Sequence, residues 1–257
     1  MAEQDQTPNG GESESRIARW FRRRFPWDAK DVLTWLTIVG TFSGPVDRRL
    51  NLREAMNKTF KKRVPGHLNW TFCLGVSALA LFSIQAFTGV LLALYYKPSP
   101  QSAYESVQHI INNVRLGWLV RQVHAWGANL MVGAVFLHML RVFFHGSYKA
   151  PREITWMVGV MLLFLTLGFA FTGYLLPWDQ LAYWATTVGT EMFASIPIIG
   201  KPLLLITRGG ELVSGETLSR FYAIHTIILP GFTAMMIMLH LFMVQRQGIS
   251  GPLSDKK

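Results

Sequence analysis

Two apolar stretches of this 257-residue chain carry two histidines each, His124 with His138 and His225 with His240. An ionisable group inside such a stretch is costly and usually marks function. One histidine alone could be a hydrogen bonder inside a helical bundle; two pairs at matched spacing have a common explanation. The first pair is 14 residues apart and the second 15. At 3.6 residues per turn these steps are about 3.9 and about 4.2 turns, so each pair stays within roughly 40–60° of one helix face. Its members lie about 21–22 Å apart along the axis. Two such helices facing each other offer one histidine–histidine clamp near each end. Two imidazoles gripping one iron axially are the ligation of a low-spin b haem, which passes electrons but does not readily bind oxygen.

A second spacing runs beside the first. Gly75 and Gly89 are 14 residues apart, as are Gly159 and Gly173. Glycine permits close backbone approach, so a flat porphyrin could lie with its edges against these positions; small residues also simply pack membrane helices. Arg121 and Arg141 flank the first histidine pair, and Arg152 follows. A guanidinium there can pair with a haem propionate or snorkel to lipid phosphate. His67, His109 and His145 fall at span ends or in loops and read as ordinary interface residues. The single cysteine, Cys73, excludes an internal disulfide framework or a multi-cysteine metal site.

The elements that must position these groups are membrane helices. Only 16% of residues are charged and mean hydropathy is +0.25, against about a quarter charged in a soluble domain. Six carboxylates occur between residues 55 and 254 (Glu105, Glu153, Asp179, Glu191, Glu211, Glu216), none inside a long apolar run. Four runs of roughly bilayer length follow: span A near 70–95, B near 118–144, C near 154–176 and D near 221–244. The expected fold is an all-α integral membrane bundle of four transmembrane helices that binds haem, with a basic cytoplasmic N-terminal extension.

The net charge of +10 does not by itself indicate nucleic acid, and none is expected as a partner. With a cytoplasmic N-terminus, nineteen lysines and arginines fall on that side and six on the other, which satisfies the positive-inside rule. Both termini are then cytoplasmic, and "outer" denotes the opposite side. Residues 1–15 are polar and expected to be disordered. Residues 16–66 form a basic cytoplasmic or membrane-surface extension; within it 31–41 reads either as a surface helix, with Val32, Trp35, Leu36 and Val39 on one face, or as a solvated tail. Residues 67–253 form the membrane domain. Its C–D loop carries Pro177, Trp178, Asp179 and Gln180 and a proline-punctuated amphipathic stretch around 191–202.

The histidine frame, PWDQ and the ending QGISGPL resemble the cytochrome b6 subunit of b6f complexes and, more broadly, the N-terminal half of cytochrome b. VPGHLNWTFCLG, GWLVRQVHAW, LHMLRVF, PREITWMVGV, FTGYLLPWDQ and RFYAIHT all fit, over about residues 64–253, and the 15-residue step on span D matches the b6 type. The resemblance implies that His124 and His225 hold an outer haem b, and His138 and His240 an inner one. It implies a third haem, of c type, attached to Cys73 by one thioether; a lone cysteine in an apolar span is otherwise a packing residue. Ala125, Gln245 beside Arg246, and Lys58 depart from the plant and cyanobacterial pattern. They point to a bacterial relative in the cytoplasmic membrane that uses menaquinone, with the thylakoid as the alternative.

The same resemblance implies the activity, that of a quinol–cytochrome c or plastocyanin-type reductase in which this chain is one subunit. Quinol is oxidised at an outer pocket built partly from the PWDQ region, electrons cross the membrane through this chain, and quinone is reduced near Cys73. Proton release outside and uptake inside would build a membrane potential. The implied partners are a Rieske iron–sulfur protein, a subunit IV-like chain bearing PEWY, a cytochrome c-type acceptor, the lipid bilayer and a second copy in a homodimeric complex. Two rival readings are a cytochrome b anchor linking quinone to a hydrogenase or dehydrogenase, and a haem-free scaffold or transporter.

Overall fold

A computed structural model describes residues 70–248, which fall within the compact unit Gly66–Lys257. The expectations for the N-terminal extension, for Lys58 and His67, and for the chain beyond Gly248 lie outside the described residues. Every regular element among the described residues is helical. A 3-10 turn, Trp70–Cys73, leads into α1 (Leu74–Ala93) to make span A; α2 is Ala103–Asn112; α3 (Gly117–Phe144) is span B; α4 (Glu153–Leu175) is span C. Helices α5 (Gln180–Ala194) and α6 (Gly200–Arg208) follow. Span D is continuous from α7 (Gly215–Ala223) through a π turn (Ile224–Ile228) to α8 (Leu229–Gln247).

The four spans have 24, 28, 23 and 33 residues, against about 20 needed to cross the hydrocarbon layer. In lipid each backbone polar group must bond internally, which favours unbroken helices. Side chains follow the same rule. The hydroxyls of Thr88, Thr166 and Thr172 donate to the carbonyls of Ile84, Leu162 and Gly168 at 2.7, 2.8 and 2.7 Å, the back-bond by which threonine satisfies itself on a helix. Large apolar residues point outward, among them Phe87, Trp126, Phe164 and Met238, as expected where lipid tails are the solvent. Helix contacts instead use small groups: a side chain added at Gly127 on B would overlap the amide of Gln85 on A.

Span A packs along B, B touches C, and C packs along D, whereas B and D make no extensive backbone contact. The apolar core lies at one end of the bundle, where Ala103, Leu175, Val213, Leu218 and Phe221 cluster under Tyr96, Phe171 and Trp178. The Tyr96 hydroxyl ties this end together by donating to the Leu176 carbonyl at 2.7 Å.

Two segments differ from the sequence expectation. The A–B loop contains the helix α2. The amphipathic stretch around 191–202 is not one element: it spans the break between α5 and α6, where Ile198 is almost fully exposed in the left-handed region (φ 71°). The two short helices are clamped by Arg208, whose side chain is 1% exposed. Its Nε donates to Thr190 Oγ1 at 2.6 Å, Nη1 to Glu191 Oε1 at 2.9 Å and to the Glu211 carbonyl at 2.7 Å, and Nη2 to the Thr187 carbonyl at 2.7 Å. Arg208, one of the six lysines and arginines counted on the outer side, is thus the centre of the C–D connection.

Candidate haem-binding frame

The four histidines occupy two levels of the bundle. At the level nearer the C–D connection, His124 on B and His225 on D face each other with ring centroids 6.4 Å apart and planes inclined by 70°. Nδ1 of His124 lies 2.9 Å from Thr88 Oγ1 on A, and Nδ1 of His225 lies 3.1 Å from Thr172 Oγ1 on C. Each Nε2 is therefore the nitrogen left for a metal. The other level holds His138 on B, beside Gly75, and His240 on D, beside Gly159. Nδ1 of His240 is buried and meets no hydroxyl among the described residues, with the Thr155 backbone beside it.

The local fold explains how D meets B's spacing. In the π turn the Leu229 amide donates to the Ile224 carbonyl, five residues back. Pro230 cannot donate an amide hydrogen to Thr226, which removes one α-helical bond and favours the wider turn. A π turn of this kind inserts one extra residue into an α-helix. The 15-residue step on D thus has the reach of the 14-residue step on B. His225 sits inside the turn, edge-on to Phe169 at 5.5 Å.

All four paired glycines face imidazoles. A Cβ at Gly173 would stand 2.6 Å from His225 Cε1, at Gly75 3.1 Å from His138 Cε1, at Gly89 3.3 Å from His124 Cε1, and at Gly159 3.5 Å from His240 Cε1. Spans A and C therefore back the histidines of B and D respectively, each glycine making room for a ring.

This frame fits a bis-histidine metal centre. With metal–nitrogen bonds of about 2.0–2.1 Å, two imidazoles on opposite sides of one metal have centroids roughly 6 Å apart, and the His124–His225 pair stands at 6.4 Å.

The remaining sequence candidates divide. Arg141 lies with its guanidinium carbon 3.6 Å over the Phe72 ring, and its Nε and Nη2 are buried with no hydrogen-bond partner among the described residues. It is an anion site by chemistry, in the same turn of B as His138. Arg121 is half-buried about one turn before His124. Arg152 is committed elsewhere: its Nη2 donates to the carbonyls of Gln247 and Gly248 at 3.2 and 3.3 Å, closing the end of span D. Trp178 turns the chain at the end of C with φ 53°. Asp179 then caps α5, its carboxylate accepting from the Ala182 amide at 2.7 Å, and Gln180 accepts from the Trp184 indole at 3.1 Å. Cys73 ends the 3-10 turn, exposed and unpaired, two residues before Gly75. His145 caps the end of B, with Nδ1 3.0 Å from the Arg141 carbonyl. His109 lines a shallow cleft with Lys97 and Glu105.

Four membrane helices carrying two histidines at each of two levels, with His124 and His225 face to face at one of them, define a membrane cytochrome. The family model described as Cytochrome b/b6/petB matches residues 59–248. Cytochrome b6 of Heliobacterium mobile is 51% identical over 191 residues, 74% of this chain and 90% of that protein. Cytochrome b6 of Synechocystis sp. is 46% identical over 205 residues, 80% of this chain and 92% of that protein. A solved structure titled "Hyperthermophilic respiratory Complex III" superposes with a TM-score of 0.76 at 36% identity, covering 82% of this chain and 56% of that one, so this chain spans about half its length. The chain belongs to the cytochrome b/b6 family, as the cytochrome b subunit of a quinol-oxidising electron-transfer complex. Haem b follows from that membership, and the hydrogenase-anchor alternative is not favoured.

Proposed function

We propose that His124 and His225 hold one haem b, that His138 and His240 hold the other, and that the chain conducts electrons across the bilayer between a quinol-oxidising and a quinone-reducing side. The observation that carries this reading is the His124–His225 pair, 6.4 Å apart, with each ring backed by a glycine and bonded to a threonine. A b haem held by two histidines supplies one-electron transfer without oxygen chemistry. The residues hold and orient it: spans B and D provide the ligands, the glycines of A and C set their depth, and Arg141 offers an unpaired guanidinium to a propionate. Arg121 offers a second cation beside His124. Arg152 serves the end of span D instead.

The finer reading follows the family resemblance. Cys73 attaches a c-type haem beside the His138–His240 level, supported by its exposed position two residues from Gly75. The PWDQ turn, Pro177 to Gln180, forms part of the quinol pocket on the opposite side, menaquinone is the quinone, and a cytochrome c-type protein is the acceptor. A Rieske protein and a PEWY-bearing subunit complete the pocket in a homodimeric complex. The charge asymmetry supports cytoplasmic termini in a bacterial inner membrane. The test is the complex purified with His225→Ala or His240→Ala: each is expected to lose one b haem and keep the other. Retention of both haems in either variant would contradict the assignment.

A further inference from the structure

The two histidine levels differ in what stands beside the imidazoles. At the His124–His225 level the residue before each glycine is a threonine, Thr88 before Gly89 and Thr172 before Gly173; at the other level the same positions are Leu74 and Val158. Both threonines are buried. Each hydroxyl has one proton, already donated to its own helix at 2.7 Å. Toward the imidazole its oxygen can then only accept, so Nδ1 carries the ring proton and Nε2 the free lone pair. His240 Nδ1, by contrast, is buried and meets no hydroxyl among the described residues; the Thr155 backbone lies beside it.

We infer that Thr88 and Thr172 are positioning residues that lock His124 and His225 in the Nδ1–H tautomer and lower the midpoint potential of the centre they hold relative to the other. An acceptor on Nδ1–H fixes a ligand's orientation and raises its basicity. A more basic axial ligand stabilises the oxidised iron, and hydrogen bonding around the ligand is one of the protein's means of setting a haem potential. The asymmetry favours electron flow from the His124–His225 level toward the His138–His240 level. It is built into spans A and C, not into the helices that supply the ligands.

This inference rests on the bis-histidine reading above. The test is a potentiometric titration of both b haems in the intact purified complex carrying Thr88→Val, Thr172→Val or both, with haem content measured alongside. The expected result is an upward shift of one midpoint, larger in the double variant, with the other midpoint unchanged. Thr→Ser at each site keeps the hydroxyl and is expected to hold the native midpoint, whereas Thr→Ala, one oxygen fewer than serine, follows valine. If valine and alanine variants load less haem at this level while serine loads fully, the hydroxyl is holding the ring, as inferred. Serine and alanine variants with equal loading and equal midpoints would overturn the inference, as would equal shifts of both haems. A complex without b haem would instead overturn the bis-histidine reading on which it rests.

Discussion

His225 and His240 are separated by fifteen residues yet stand in the register that His124 and His138 reach in fourteen, because the π turn at Ile224–Ile228 absorbs the extra one. Ligand depth on span D is thus set by a backbone irregularity, with Pro230 just beyond it as the cause. Two helices of different sequence spacing can then present two level pairs.

Deletion of Ile227, whose side chain is 71% exposed, should convert the π turn to α-helix and leave a fourteen-residue step. Both b haems are expected to remain in the purified complex. Deletion of Gly133, which has open space around its Cβ position, leaves B with no turn to absorb the change. It rotates His138 about 100° from His124, and one haem should be lost. Haem content by difference spectroscopy reads both.

The paired glycines should rank by clearance. Alanine at Gly173 meets His225 at 2.6 Å, while alanine at Gly159 stays 3.5 Å from His240. Overpacking typically costs about 1–3 kcal/mol, which as a loss of ligand binding is roughly 5- to 150-fold. Gly173→Ala should therefore deplete the haem held by His225, with Gly159→Ala close to native. The reverse order in haem-retention assays would remove the steric account.

Arg208 should matter to the C–D connection far more than its ion-pair partner. Arg208→Met breaks four hydrogen bonds of a buried group and should destabilise the connection by more than about 2 kcal/mol. Glu191 is 59% exposed, so Glu191→Gln should cost under about 1 kcal/mol. Limited proteolysis between α5 and α7 distinguishes them, with rapid cleavage expected only in the Arg208 variant.

Tyr96, just beyond span A, has its phenol pKa raised by burial and by the neighbouring Tyr222, whose ring centroid is 5.5 Å away. A raised folded-state pKa contributes stability that is intact below the unfolded tyrosine pKa and declines as pH climbs toward the folded value. Thermal stability should therefore fall in alkaline buffer above the ordinary tyrosine range, and Tyr96→Phe should blunt that fall. Stability equally pH-dependent in the variant would assign the effect to other groups.

The parts legible in the sequence were those written as long-period patterns. Four apolar runs placed four spans, and the shared fourteen-residue step linked His124 and His138 to Gly75 with Gly89 and Gly159 with Gly173. What escaped was carried by contacts between distant segments or by single irregularities. Nothing in the sequence singles out Thr88 and Thr172, because the imidazoles they lie against are 36 and 53 residues away. The extra residue on span D was visible, but its meaning depended on the turn near Pro230. Arg208 looked like one loop charge among several because the partners that bury it, Thr187, Thr190 and Glu191, belong to another helix. Helix α2 has only ten residues, too few to stand out from a loop between two far stronger signals.

The most direct measurement is a pyridine haemochrome spectrum of the purified native protein, taken before and after acid–acetone extraction. Two extractable b haems per chain are expected, with one further haem resistant to extraction and lost in Cys73→Ala. Two b haems with nothing resistant would remove the role of Cys73 and leave the transmembrane relay standing. No haem in a natively folded preparation would contradict the histidine frame itself.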